Sequence, residues 1–408
     1  MTPVRRALVS IAVPAVLTLA AAVVWFVTRP GAVAPAAATR EPGGEPSDVA
    51  TALGDPDEYA WRLFFFINRQ AAPGAAGVAD PGRSIRQYDP DEPVVWETWA
   101  LASGAGRTQA GSEALRVGGV APVAWSALPR ERWPAKVLSV NLANPDGPAI
   151  LEVRLNRASY DFIRSGGLYT TAGLEQAYAA AVVQRRPDAI QFPVDAKAVK
   201  AVWKDLGPRP PPAVLARYHW RRIGSHVWGL TGLHIVTKDL PTWFWADFEH
   251  VDDPIPPGEP SSDTTTRGPG ALARGAVDGE RRELSGTKWA YYRLRGVQIG
   301  FTDARGAPTR LSDAVLERGF EHTSCMTCHA RATIGVRDGQ LERLNPNPTN
   351  FDDAQGRPPA IADAKNSDLG VPSVSLFGKD RLTFLQTDFI WAMALRAPRE
   401  TLPAGGGR

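Results

Sequence analysis

Only two cysteines occur in the 408 residues, and they stand in Ser324-Cys325-Met326-Thr327-Cys328-His329. That spacing dictates a chemistry. Two thiols one helical turn apart lie on the same face, where they can add to the two vinyl groups on one porphyrin edge. The histidine next in sequence then swings beneath the ring to reach the iron, which is the attachment pattern of c-type haem. Cys325, Cys328 and His329 are therefore the candidate haem-binding residues, for one covalent haem c, with His329 as its proximal metal ligand. A zinc site would need further ligands beside two cysteines and an adjacent histidine. A thioredoxin-like dithiol would follow a strand, whereas this motif follows a helix expected over Leu311–Phe320 with Ser312 as N-cap. A disulfide across two intervening residues closes too small a loop to add much stability.

The N-terminus agrees with this reading. Arg5 and Arg6 precede an uncharged run, Ala7–Val27, interrupted only by Ser10, Pro14 and Thr18. At about 1.5 Å per residue such a helix spans roughly 30 Å, the thickness of a bilayer core. The arginines hold its start in the cytoplasm, so everything after Arg29 is expected outside. Residues 1–30 are read as a signal anchor or a cleaved signal peptide, with Ala36-Ala37-Ala38 as the alternative cleavage site. Covalent haem attachment belongs on that outer side, so the chain is expected at the periplasmic side of a bacterial inner membrane, anchored or secreted. Lys and Arg total 46 against 43 for Asp and Glu, and the excess of three is Arg5, Arg6 and Arg29. The exported body is therefore neutral, which argues against nucleic acid as a partner.

Residues 31–54, rich in Ala, Pro and Gly, read as a flexible tether. A helix starts at Asp55-Pro56-Asp57-Glu58, with Asp55 as N-cap and Pro56 at the first helical position, and runs through Tyr59–Phe66. Strands are expected at Lys136–Asn141, Ala149–Leu155, Ala196–Trp203, Val227–Val236 and Trp289–Phe301, and helices at Glu175–Arg185 and Thr387–Leu395. The fold class is α+β: a β-rich body over 55–310, interrupted by a long excursion at 254–286, then a helical cytochrome-c-like haem-attachment region over 311–400 and a disordered tail, 401–408.

What faces His329 across the iron decides between an electron carrier and an open site. Met393, on the expected last helix beside Phe389 and Ile390, is one candidate sixth ligand. The others come from a block dense in histidine and tryptophan, spanning Tyr218–Arg222, His226–Val236 and Trp243–His250. Read as a haem wall, it offers His234 or His250 to the iron and Arg221 or Arg222 to a propionate. Read as an aromatic β core, its histidines are hydrogen-bonded structural groups.

Trp96-Glu97-Thr98-Trp99, Leu233-His234-Ile235-Val236 with Trp243–His250, and Cys325-Met326-Thr327-Cys328-His329-Ala330 together resemble a group of exported bacterial monohaem cytochrome-c-like proteins, over about Tyr59–Ala332. The resemblance implies haem c attachment at Cys325 and Cys328, His329 on iron and a periplasmic setting. It implies no particular reaction. The likeness to small class I cytochromes c is weaker: Gly319 and Phe320 precede the motif, but Met393 departs from their methionine loop. The function expected first is electron transfer with a redox partner protein, the membrane being reached through the N-terminal helix. The alternative is a haem c oxidoreductase or small-ligand sensor with an open distal site. A binding module using haem as a staple ranks last.

Overall fold

The computed structural model describes residues 45–102, 124–127, 139–140, 149–186, 189–253, 284–301, 309, 311, 324–330, 332–337, 340–342, 377–378, 381–382 and 384–396. All belong to one compact unit, Gly43–Arg408. The segment expected to enter the membrane, residues 254–283, the 401–408 tail and the helix expected after Leu311 lie outside the described residues. Among the described residues no helix is long and apolar enough to cross a membrane.

The architecture is mixed helix and antiparallel sheet. β1 (Ala100–Ala102), β2 (Ser139–Val140), β3 (Ala149–Leu155), β4 (Lys197–Gly207), β5 (Trp220–Ile223), β6 (His226–Thr237), β7 (Phe244–His250) and β8 (Tyr292–Gln298) form one sheet. Its order is β1-β3-β4-β6-β7-β8, with β2 also on β3 and β5 also on β6. A smaller sheet joins β9 (Thr333–Arg337), β10 (Gln340–Glu342) and β13 (Leu385–Gln386), and β11 (Phe377–Gly378) pairs with β12 (Arg381–Leu382). The strands expected at Ala149–Leu155, Ala196–Trp203 and Val227–Val236 appear as β3, β4 and β6, the one expected at Trp289–Phe301 opens with a 3-10 turn, Lys288–Tyr291, and of Lys136–Asn141 only Ser139–Val140 lies among the described residues.

β7 explains how the large sheet is used, because every one of its residues is buried. Successive side chains on a strand point to opposite faces. Phe244, Ala246 and Phe248 face the helix Pro56–Ile67, where Tyr59 meets Phe244 edge-on at 4.9 Å and Phe64 stacks on Phe248 at 4.5 Å. That helix starts as its sequence demands: the Asp55 carboxylate accepts from the Glu58 amide at 3.1 Å and Pro56 sits in the first turn. Trp245, Asp247 and Glu249 face the other way, and that is the side on which the cysteine segment docks.

Two expectations are corrected. Residues 45–54 are no flexible tether: Ser47 Oγ donates to Asp239 Oδ1 at 3.0 Å, and Asp48 caps a helix, Val49–Gly54, through the Thr51 amide at 3.1 Å. Nor is the attachment region chiefly helical among the described residues. The cysteines occupy a single short helix, and the β-branched run after it, Thr333–Arg337, becomes a strand. Phe64→Ala is expected to lower the unfolding free energy by about 3–5 kcal/mol in urea titrations, against about 0.5 kcal/mol or less for the exposed Val183→Ala. Equal effects would contradict this packing.

Candidate functional site

Cys325–Ala330 form one helix whose start is fastened to the large sheet through Gln298, the last residue of β8. The fully buried Gln298 amide donates from Nε2 to Ser324 Oγ at 2.6 Å and Thr309 Oγ1 at 2.7 Å, and its Oε1 accepts from the Met326 backbone at 3.0 Å. Leu311 O receives both the Cys325 amide at 2.9 Å and the Cys325 thiol at 3.0 Å. Cys325 is buried and Cys328 half-buried, and the two thiols are not bridged.

The chain then enters β9, whose partner β13 returns it to the same place, Ile334 opposite Leu385. Thr387 ties the return by donating to Ala332 O from its amide at 2.8 Å and its hydroxyl at 2.9 Å. Phe389 O thereby arrives 2.8 Å from His329 Nδ1. A carbonyl can only accept, so Nδ1 carries the proton and the lone pair is on Nε2. On its flank the His329 ring meets Trp245 at 4.6 Å between centroids, and Trp391 Nε1 donates to Cys328 O at 3.2 Å.

The carbonyl is held there by strained backbone. Asp388 and Phe389 adopt φ of 47° and 68°, the left-handed region, which costs a non-glycine residue of order 1 kcal/mol or more. The buried Asp388 carboxylate opposes that cost: Oδ1 accepts from Lys238 Nζ at 2.6 Å and Oδ2 from the Phe192 amide at 2.7 Å. Lys238 also donates to Pro241 O at 2.8 Å. Burial lowers the Lys238 pKa and the facing Asp388 opposes the shift. Sequence reasoning missed Lys238 and Asp388. Their partnership spans 150 positions, and nothing local marks it beyond aspartate's tolerance of left-handed backbone.

The histidine-tryptophan block divides by strand alternation. His234 on β6 stands directly opposite Asp247 on β7 and so shares the face of Trp245 and His329. Its Nδ1 is buried without a hydrogen bond, 3.6 Å from Asp247 Oδ1, and its ring lies 5.9 Å from Trp245. Burial holds the His234 pKa well below its ordinary value, with Lys200 and His329 adding repulsion.

The other candidates are placed elsewhere. His250 stacks on Tyr218 at 3.7 Å, and both nitrogens are engaged, Nε2 with Arg217 O at 3.1 Å and Nδ1 with the Asp252 amide at 3.2 Å. Arg221 is buried against Glu97 and donates to the Tyr88 hydroxyl at 3.0 Å. Glu97 also takes His219 Nε2 at 3.1 Å, and His219 stacks on Trp289, which touches Phe64. That cluster is on the Pro56–Ile67 side of the sheet, away from His329, which corrects the expectation of Arg221 as a propionate clamp and of His250 as an iron ligand. Arg222 is exposed, 3.5 Å from Pro208 O. Met393 is buried in the helix Trp391–Arg396, four residues past the carbonyl that caps Nδ1.

Among the described residues no group of three or more His, Cys, Asp or Glu is arranged to hold a metal ion. Haem c asks for something else, two thiols and one oriented imidazole, and the residues present fit it. Comparison with protein-family models, curated proteins and solved structures finds no match.

Asp388→Asn is expected to cost about 3–5 kcal/mol by stranding buried Lys238, and adding Lys238→Met should recover part of it, a non-additivity that chemical unfolding of the single and double variants measures; strict additivity would contradict the latch. Burial lowers the pKa of His219 to about 3 and of His250 to about 4, from 6.5. Below pH 6.5 the unfolded chain therefore binds protons that the folded chain refuses. Stability contributed above pH 6.5 is expected to fall as pH drops toward 4, by up to about 1.4 kcal/mol per pH unit for each imidazole. A denaturation midpoint constant between pH 7 and 5 would contradict it.

Proposed function

We propose that this chain is an exported, membrane-tethered monohaem c-type cytochrome that transfers electrons. The observation that carries the reading is the hydrogen bond from His329 Nδ1 to Phe389 O at 2.8 Å. Metal-bound imidazoles almost always spend their second nitrogen on such an acceptor, which fixes the tautomer, orients the ring and raises ligand basicity. A histidine that merely follows two cysteines has no need of a strained carbonyl brought from 60 residues away. Cys325 and Cys328, three apart on one helix, supply the two thioether positions.

The bound haem would supply one-electron chemistry between ferrous and ferric iron. The chain's own residues set its terms. Phe389 O, accepting from His329 Nδ1, would strengthen the imidazole as a donor to a bound haem and so favour its ferric state. Trp245, packed on the imidazole, and the buried Phe389 and Ile390 limit water on the proximal side. Half-buried Cys328 would leave the edge of a bound haem nearer the surface, where it could exchange one electron with a reduced donor protein and an oxidised acceptor. Met393 is buried in the helix Trp391–Arg396, and its burial reads as core filling.

The test uses full-length protein matured in a host that attaches haem c. A carrier is expected to keep its ferrous spectrum when carbon monoxide is added, because the sixth position is filled. A rapid shift on mixing would contradict the carrier reading and support the open-site oxidoreductase or sensor.

A further inference from the structure

We propose that Lys288 is a nucleophilic amine that condenses with a small uncharged aldehyde or ketone to form an imine. Lysine is almost never buried unless its charge is paired. Lys288 is only 9% exposed, and among the described residues its Nζ has neither a hydrogen bond nor an ion pair. Its neighbours are aromatic instead: Nζ lies against the face of the Tyr88 ring and 5.3 Å from the centre of the Trp289 ring. The local chain puts it there. The Thr287 amide and hydroxyl both donate to Leu284 O, at 2.9 and 2.6 Å, and open the turn Lys288–Tyr291. Arg86 donates to Ser285 O at 3.1 Å and so ties the loop that carries Tyr88 to the same segment.

The charged groups around Lys288 are committed to one another. Glu97 is taken by Arg221 and by His219 Nε2 at 3.1 Å. That carboxylate is ionised, so Nε2 carries the imidazole proton and Nδ1 accepts from the Tyr88 hydroxyl at 3.2 Å. Arg221 donates to the same hydroxyl at 3.0 Å. Lys288 therefore faces a guanidinium, a neutral imidazole, a hydroxyl and a carboxylate already shared by two donors. Burial and the Arg221 charge lower the Lys288 pKa to about 5, with Glu97 opposing the shift. Desolvation beside another cation is the setting that leaves a lysine neutral and nucleophilic. Its lone pair adds to the carbonyl carbon, a proton passes from nitrogen to oxygen, and loss of one water leaves C=N; no oxidant or reductant enters. The Tyr88 and Trp289 rings suit an apolar carbonyl compound. Arg221, committed to Glu97, is not available to a substrate carboxylate. Half-buried Tyr88 is where the site meets the surface.

The experiment incubates the full-length protein at pH 6 with propanal and sodium cyanoborohydride, whose hydride turns the imine into a stable secondary amine. Peptide mass mapping then reads each lysine separately. Lys288 is expected to label at least about tenfold faster than half-buried Lys200 and Lys204, because an ordinary ammonium must first lose a proton. In the urea-unfolded chain that preference should vanish. Labelling of the folded protein at Lys288 no faster than at Lys200 and Lys204 would overturn the proposal, and would show an ammonium held on the Tyr88 ring. A preference that survives unchanged in urea would overturn it too, since the fold would then not be its cause.

Discussion

The arrangement depends on one carbonyl. Phe389 O reaches His329 Nδ1 only because β9 and β13 pair, because Thr387 ties the return to Ala332, and because two consecutive residues accept left-handed backbone. Left to itself that turn would relax, moving the acceptor and freeing the imidazole to rotate or change tautomer. The Lys238–Asp388 pair prevents this by anchoring the turn to the end of the large sheet, where the Phe192 amide completes the carboxylate's shell. A buried pair of this kind is weak evidence for stability as such, since desolvation offsets most of the attraction. Its value here lies in geometry: it holds a strained conformation that aims one atom.

The large sheet separates two environments. One face is aromatic and apolar against Pro56–Ile67, with the polar cluster of Glu97, His219, Arg221 and Tyr88 closed on itself beside it. Burial raises the pKa of Glu97, yet Arg221 and His219 outweigh it and hold the carboxylate ionised and low. The other face carries His234, Asp247 and Glu249, all buried, in front of the cysteine helix. Putting titratable groups there costs hydration that packing alone does not return, and functional sites are where such a cost is found.

Much of the body was legible. Asp55-Pro56 and the aromatic run gave the first long helix because capping chemistry is local, and β3 matched residue for residue because alternation is local too. The Cys325-x-x-Cys328-His329 motif that carries the proposed attachment stands out in the sequence because its residues lie within five positions of one another. What sequence could not supply was the meaning of the histidine-tryptophan block. Counted as one cluster, it invited Arg221 and His250 into the site; sorted by strand period, it sends them to the opposite face and keeps His234 and Trp245. Period-two alternation over Phe244–His250 was the available signal. Lys238 and Asp388 had no local signal, since long-range pairing alone brings them together.

The central claim is that iron porphyrin is bound through thioethers to Cys325 and Cys328 with His329 on the metal. The most direct measurement is the intact mass of the denatured full-length chain after maturation in a host competent for haem c, with and without Cys325→Ser and Cys328→Ser together. The account predicts a mass increased by one haem in the wild-type chain and none in the double variant. A wild-type mass equal to that of the bare polypeptide, or to its signal-cleaved form, would contradict it.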